Sequence, residues 1–182
     1  SACVEQGGCV LPTVDSSKWG PAAQCNMDLF LASSTSDSVA SLPMNCVSWQ
    51  DAYDFCHWQG KRLCSEAEWE KAARGPYEGR VYPWTSAAVS DNFFWGKESD
   101  ICDFALVLLL DGTSCEEGPV AVGSKPGGAS PYGALDMCGS VAEWVADWYD
   151  PSYYFGSAEM DPKGPASGAR KVLRGGSTVS FR

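Results

Sequence analysis

Glycine and proline recur so often along this chain that long helices or strands have little room to form. The 182 residues include 19 Gly and 11 Pro, which interrupt regular elements because Gly lacks a side chain and Pro lacks a backbone N–H. Eight Trp, seven Tyr and seven Phe provide apolar surface for a core. We therefore expect one domain, residues 1–182, with sparse regular structure around aromatic side chains.

Two segments do predict helices, because each begins with a capping box. Ser48 with Asp51, and Ser65 with Glu68, place a hydroxyl and a carboxylate three residues apart before an apolar repeat. A glycine follows each segment at the position where a helix commonly ends.

Two other segments predict strands. The longest apolar run, Phe104–Leu110, is too short to span a bilayer and is expected to be a buried strand. Val172 and Leu173 precede a Gly-Gly pair and predict a strand that enters a glycine turn.

The nine cysteines indicate disulfides rather than a metal cluster. No CxxC pair is present and the chain has one histidine, His57, so a zinc site is excluded in favour of bridges formed in an oxidising compartment. Proximity in sequence predicts three pairs, with the Cys56 thiol left over. The three pairs are Cys3–Cys9, Cys25–Cys46 and Cys102–Cys115.

These cysteines predict an extracellular or periplasmic protein. Because the chain opens on Ser1 without a leader, we expect a mature secreted form, or one held at a membrane through a lipid anchor or a partner. The formal net charge of −10 would repel a phosphate backbone, so nucleic acid is excluded as a partner.

The segment Asp136–Trp148 is a candidate cation site. Asp136 and Glu143 flank a turn at Gly139, and a hard cation accepts carboxylate and carbonyl oxygens together. An Asx-type turn that leads into an amphipathic segment explains the same residues equally well. The residues by themselves leave both interpretations open.

A series of collinear motifs resembles the formylglycine-generating enzyme (sulfatase-modifying factor) family over roughly residues 43–177. The motifs are Pro43–Trp49, Gly60–Gly75, Tyr82–Trp84, Val122–Ser124, Tyr132–Met137, Glu143–Trp144, Asp147–Pro151, Gly164–Gly168 and Val172–Ser177. The resemblance implies an α+β fold related to the C-type lectin domain, with two main helices, short antiparallel strands and long ordered loops. The cysteine-bearing amino-terminal portion is similar to bacterial secreted or lipoprotein members.

The resemblance also implies calcium, as one or two ions. At the first site, Asp136 and Glu143 would give carboxylates, and Gly139 and Val141 would give main-chain carbonyls. The second site maps onto a longer set: Asn92, the Phe93 carbonyl, Asp111 and the Thr113 carbonyl.

One more disulfide follows from the resemblance. Cys64 and Cys138 stand where the family usually has other residues, in two motifs that pack together, which predicts a Cys64–Cys138 bridge. Compared with the family, the chain is also expected to lack the first strands and a carboxy-terminal lobe.

The family's oxidase holds copper(I) with two cysteines just after the Gly-Gly-Ser turn, and this chain departs from that pattern. Ser180 stands at the first cysteine position and the chain stops before the second, so no copper is expected. We therefore expect a non-catalytic binding or structural module with a protein or glycan partner, as a subunit of a larger complex. The alternative is a copper-dependent formylglycine-generating oxidase that acts on a sulfatase cysteine, with its active cysteines outside this chain.

Overall fold

A computed structural model describes residues 2–10, 40–76, 80–84, 98–109, 112–116 and 120–178 of the chain. Its regular elements are few, and loops and turns connect them. They are three α-helices, α1 (Ala2–Glu5), α2 (Trp49–Trp58) and α3 (Glu66–Arg74), and two strands, β1 (Glu143–Trp148) and β2 (Lys171–Arg174), with 3₁₀ turns at Glu98–Asp103, Pro126–Gly128 and Tyr153–Phe155. This is the α+β architecture with sparse regular structure that the sequence predicted.

Both predicted helices, α2 and α3, form, and both capping boxes are present. At α3, the backbone N–H of Ser65 donates to the Glu68 carboxylate at 2.8 Å, and the backbone N–H of Glu68 donates to the Ser65 hydroxyl at 3.2 Å. Gly75 ends this helix with φ +73°. The two reciprocal bonds satisfy backbone donors that would otherwise have no partner at a helix start.

The strands β1 and β2 pair antiparallel, with Trp144 opposite Leu173 and Trp148 opposite Lys171. Five residues of β1, 144–148, therefore span three residues of β2, 171–173, so the register is irregular between these pairs. The Lys171 side chain spans this irregularity. Its Nζ donates to the Ala146 carbonyl at 2.8 Å and lies 4.0 Å from the ring centroids of both Trp49 and Trp148.

The apolar run Phe104–Leu110 does not form the full strand that the sequence predicted. Residues 105–109 are mostly buried, and the pairs that they form with other described residues are isolated bridges, Leu106 with Gly139 and Leu108 with Ser114. The partners of this run are turns rather than strands, so its backbone bonds are scattered. Leu110 lies outside the described residues.

The described core consists of two apolar clusters. The first joins α3 to the sheet through Trp69, Ala73, Val145 and Val172. The second surrounds the apolar run and contains Ile101, Ala105, Val107 and Leu109.

The cysteines divide between bridges and thiols. Cys3–Cys9 and Cys102–Cys115 form disulfides, as expected, with Cα atoms 5.4 and 5.3 Å apart. Cys46 is disulfide-bonded, and its expected partner Cys25 lies outside the described residues.

The predicted Cys64–Cys138 bridge is not formed, since both residues keep thiols, as does Cys56. The reason is packing. Cys64 lies against the first cluster and Cys138 against the second.

Within the described part of the chain, no helix has both the length and the apolar character needed to cross a bilayer.

Candidate functional site

The turn at Gly139 lies between the apolar run and the end of β2. The Gly139 N–H donates to the Gly175 carbonyl and the Ser140 N–H donates to the Leu106 carbonyl, both at 2.8 Å. Gly139 has φ +79°, and a Cβ atom there would stand 2.1 Å from the Leu106 oxygen. Only glycine combines this left-handed backbone with such a close approach.

The two predicted carboxylates of this turn each accept a hydrogen bond from a residue outside the turn. Glu143 accepts a hydrogen bond from the Trp69 indole at 2.5 Å, and Asp136 accepts one from the Gly123 backbone at 2.7 Å. Burial raises the pKa of Glu143; the Trp69 bond offsets part of this rise, and the negative charge of Asp136 adds to it. The bonds to Trp69 and Gly123 each occupy one carboxylate oxygen.

This donor set fits a hard cation. The carbonyl oxygens of Met137 and Val141 both lie beside Gly175, 3.8 and 3.9 Å from the position of a Cβ built there. Carboxylates with main-chain carbonyls are the ligands that calcium takes. No group of three or more His, Cys, Asp or Glu side chains is gathered among the described residues, so an ion here would need carbonyl oxygens beside Asp136 and Glu143. Calcium at this turn stays a prediction.

Of the four residues predicted for the second calcium site, the structure describes one, Thr113. Asn92, Phe93 and Asp111 lie outside the described residues. The Thr113 carbonyl accepts a hydrogen bond from the Leu109 N–H at 2.8 Å. This site also stays a prediction.

An open cleft of about 860 Å³ runs along the outer face of α3, and the sequence reasoning missed it. The residues that line it are Glu66, Ala67, Glu70, Lys71, Arg74, Gly75, Pro76, Tyr154, Glu159 and Arg174. The available signal was the spacing of Glu66, Glu70 and Arg74, which places three charged side chains on one helix face. The contributions of Tyr154, Glu159 and Arg174 depend on tertiary packing.

An ion-pair network forms the floor of this cleft. Glu70 lies between two arginines: its Oε1 pairs with Arg74 at 2.7 Å and its Oε2 with the Arg174 guanidinium. Arg174 also lies 3.7 Å from Glu66, and its guanidinium carbon is 5.0 Å from the Trp69 ring centroid. The floor is therefore held in place from both α3 and β2.

Comparison with known proteins identifies the family. The sequence pattern described as "Sulfatase-modifying factor enzyme 1-like domain" matches residues 1–181. The chain is 39% identical over 140 residues to the formylglycine-generating enzyme of Streptomyces coelicolor, covering 74% of this chain and 41% of that protein. It is 38% identical over 117 residues to the mouse inactive C-alpha-formylglycine-generating enzyme 2, covering 61% of this chain and 34% of that protein.

A solved structure shares the fold. Treponema denticola variable protein 1 superposes with a TM-score of 0.55 at 23% identity, over 81% of this chain and 64% of that chain. The chain thus spans about two-fifths of the Streptomyces relative, and the resemblance found in the sequence motifs is confirmed. The chain belongs to the sulfatase-modifying factor family.

Proposed function

We propose that this domain is a non-catalytic binding module that works outside the cytoplasm as part of an assembly. The observation that carries the proposal is the open cleft of about 860 Å³ along α3. The Glu70 ion pairs with Arg74 and Arg174 hold these three lining side chains in place before a ligand arrives. Such pre-organisation lowers the entropy lost on binding.

The residue at position 180 supports a non-catalytic role. The motif resemblance implies that Ser180 occupies the position where the family's oxidase has the first of its copper-binding cysteines. A serine hydroxyl is a hard ligand, whereas copper(I) selects soft thiolates. A mouse relative that is 38% identical over 117 residues is itself named as inactive.

Disulfides and calcium would stabilise this module. The bridges Cys3–Cys9 and Cys102–Cys115 tie short loops and are of the kind that persists in oxidising compartments. The disulfides support an extracellular or periplasmic location. The partner that we propose there is a protein or a glycan. Calcium would be held by Asp136, Glu143 and the carbonyls of the same turn, so that its charge compensates the two carboxylates.

A direct experiment tests the absence of catalysis. The purified domain is loaded with copper(I) under anaerobic conditions, separated from unbound metal, and then given oxygen and a cysteine-containing sulfatase peptide. The Streptomyces coelicolor relative serves as the active control. We expect no stoichiometric copper and no oxygen uptake above the buffer rate. Copper at one equivalent, or formylglycine in the peptide by mass spectrometry, would overturn the proposal.

The second candidate function is formylglycine generation, with the copper thiolates supplied by residues outside positions 1–182. The 39% identity to the Streptomyces enzyme over 140 residues favours it. The same assay, performed on the protein as its host makes it, separates the two functions. Oxygen uptake by that protein, lost when its added thiols are alkylated, would establish the oxidase.

A further inference from the structure

The cleft along α3 has an acidic, aromatic end. The Tyr154 hydroxyl donates to Glu66 at 3.3 Å. Burial raises the pKa of Tyr154, and the negative charges of Glu66 and Asp147 raise it further. The partial positive charge at the start of α3 is already compensated by Asp147, because the Glu66 backbone N–H donates to its carboxylate at 2.8 Å. An aromatic ring beside carboxylates is the chemistry that receives a cationic side chain.

The other end of the cleft carries the opposite charge. Lys71 is exposed, lines the cleft and has no ion-pair partner within the described parts of the chain. Arg74 lies next to it along the helix, with its charge shared with Glu70 at 2.7 Å. Lys71 is therefore the cation left to meet an anionic group from a ligand.

Two exposed apolar side chains are sequence neighbours of residues that line the cleft. Phe155 is 94% exposed and follows Tyr154, and Met160 is 84% exposed and follows Glu159. Phe155 and Met160 thus each adjoin a cleft-lining residue in the sequence. A polypeptide that lies in the cleft could cover them, and burial of apolar surface would add to the attraction between charges.

The separation of Glu66 and Lys71 sets the spacing of the ligand's charges. These two residues are five positions apart on the nine-residue helix α3, so they lie roughly 7.5 Å apart along its axis at 1.5 Å per residue. An extended chain covers that distance in about two residues at roughly 3.3 Å each.

We propose that this cleft binds an extended segment of a partner protein with a basic and an acidic side chain about two residues apart. The basic side chain contacts the Tyr154 ring and shares the Glu66 carboxylate with Arg174, which lies 3.7 Å from it, and the acidic side chain contacts Lys71. The inference rests on the proposed function, since it names the partner chemistry of the same cleft. The net charge of −10 favours approach of the basic side chain at long range.

The probes are blocked twelve-residue peptides with Lys and Glu separated by one alanine, in both chain orders, and a control peptide with alanine at both positions. Binding is measured by isothermal titration calorimetry and by amide chemical shifts at low salt. We expect one chain order to bind at least tenfold more tightly than the control, with shifts at residues 66–76 and 153–160. If no charged peptide binds more tightly than the control at millimolar concentration, the inference is overturned.

Matched variants locate the site. Lys71→Glu should weaken the tight peptide at least fivefold, whereas Lys61→Glu, an exposed lysine that is not among the cleft-lining residues, should leave it unchanged. Replacing the peptide's Glu by Lys should restore binding to Lys71→Glu. Tyr154→Ala should weaken binding by a similar factor, with Tyr149→Ala as its control. Melting temperatures verify that each variant is folded, and equal affinities across all folded variants would contradict the site.

Failure here is distinguishable from failure of the proposed function. If the peptides bind equally to all variants and the copper and oxygen assay is negative, the proposed ligand is wrong and the binding-module proposal stands. Oxygen uptake would overturn the binding-module proposal, whatever the peptide results.

Discussion

Asp147 accepts a hydrogen bond from the backbone N–H of Glu66 at 2.8 Å, so a carboxylate on β1 caps the first turn of α3. Asp147 is 2% exposed, and its other oxygen has no partner among the described residues. A buried carboxylate is stabilised by such a bond and by the positive end of the helix. The sheet and the main helix of the cleft are therefore joined through one side chain.

Asp147→Ala should lower the free energy of unfolding by about 2 to 3 kcal/mol, because it removes a charge-assisted bond and leaves the Glu66 N–H without its partner. Urea denaturation, followed by tryptophan fluorescence, measures the change. Asp150→Ala is the control, because this exposed carboxylate bonds only locally to Ser152. It should cost much less than Asp147→Ala. Equal losses for both variants would show that Asp147 does not cap α3.

Gly139→Ala should destabilise the protein far more than Gly60→Ala. Both glycines have positive φ, +79° and +67°. An added Cβ at Gly60 meets nothing within 4 Å, whereas one at Gly139 would stand 2.1 Å from the Leu106 oxygen. Gly60→Ala should therefore cost about 1 kcal/mol of backbone strain, and Gly139→Ala at least about 3 kcal/mol, as for other forced core contacts. Denaturant midpoints compare them, and similar midpoints would contradict the close approach at Gly139.

The sequence predicted the helices better than the strands, for a physical reason. The capping boxes at Ser48 and Ser65 are local, so hydroxyl and carboxylate at fixed spacing were sufficient to place both helix starts. The strand β1 was not predicted, because Trp144 and Trp148 are four residues apart and suggested an amphipathic segment. Its period of two buries Val145 and Asp147 instead.

The candidate sites also include features that the sequence predicted and features that it did not. Motif resemblance placed Asp136 and Glu143 in one calcium site, which stays a prediction; in the structure the negative charge of Asp136 adds to the rise in the pKa of Glu143. The cleft could not be predicted, because Tyr154 and Arg174 reach α3 from distant segments. The wrong Cys64–Cys138 pair has the same cause: the sequence does not show that these residues pack into different clusters.

Acid should remove the contribution of Glu68 to stability. Its hydrogen bonds from the Arg62 guanidinium, at 2.7 and 2.8 Å, and then from the Ser65 backbone lower the pKa of Glu68 to about 2. A depressed pKa means that the stabilisation is fully present above the ordinary value, near pH 4.5, and is lost as the pH falls toward 2. Because the Glu68 side chain is 37% exposed, solvent screening limits this contribution to about 1 kcal/mol.

Glu68→Gln should therefore match the wild type in unfolding free energy near pH 2 and fall below it at pH 6. The measurement is a series of urea titrations between these values. Glu116→Gln serves as the control, because its pair with Lys125 is longer, at 3.4 Å, and on an exposed carboxylate. A gap between wild type and Glu68→Gln that stays constant with pH would contradict the assignment.

Thiol counting tests the corrected cysteine map. With Cys56, Cys64 and Cys138 unbridged and Cys46 bonded to a cysteine outside the described residues, the unreduced protein should release three equivalents of thiol under denaturing conditions. Cys64→Ser and Cys138→Ser should each lower the count by one. A count of one in the wild type, raised to two by either substitution, would restore the Cys64–Cys138 bridge.

Calcium should raise the melting temperature of the protein if Asp136 and Glu143 hold the ion. A ligand that binds the folded state alone stabilises it by about 2.7 kcal/mol at a hundredfold excess over its Kd. Differential scanning calorimetry after chelation and then with added calcium measures this shift. Asp136→Asn is the matched variant, because asparagine tolerates the φ of +58° and keeps an acceptor for the Gly123 N–H. It should lose most of the calcium response, while Asp54→Asn on α2 should keep it. If calcium does not change the melting temperature of the wild type, the turn does not bind the ion. An equal calcium response in Asp136→Asn would show that the ion binds elsewhere.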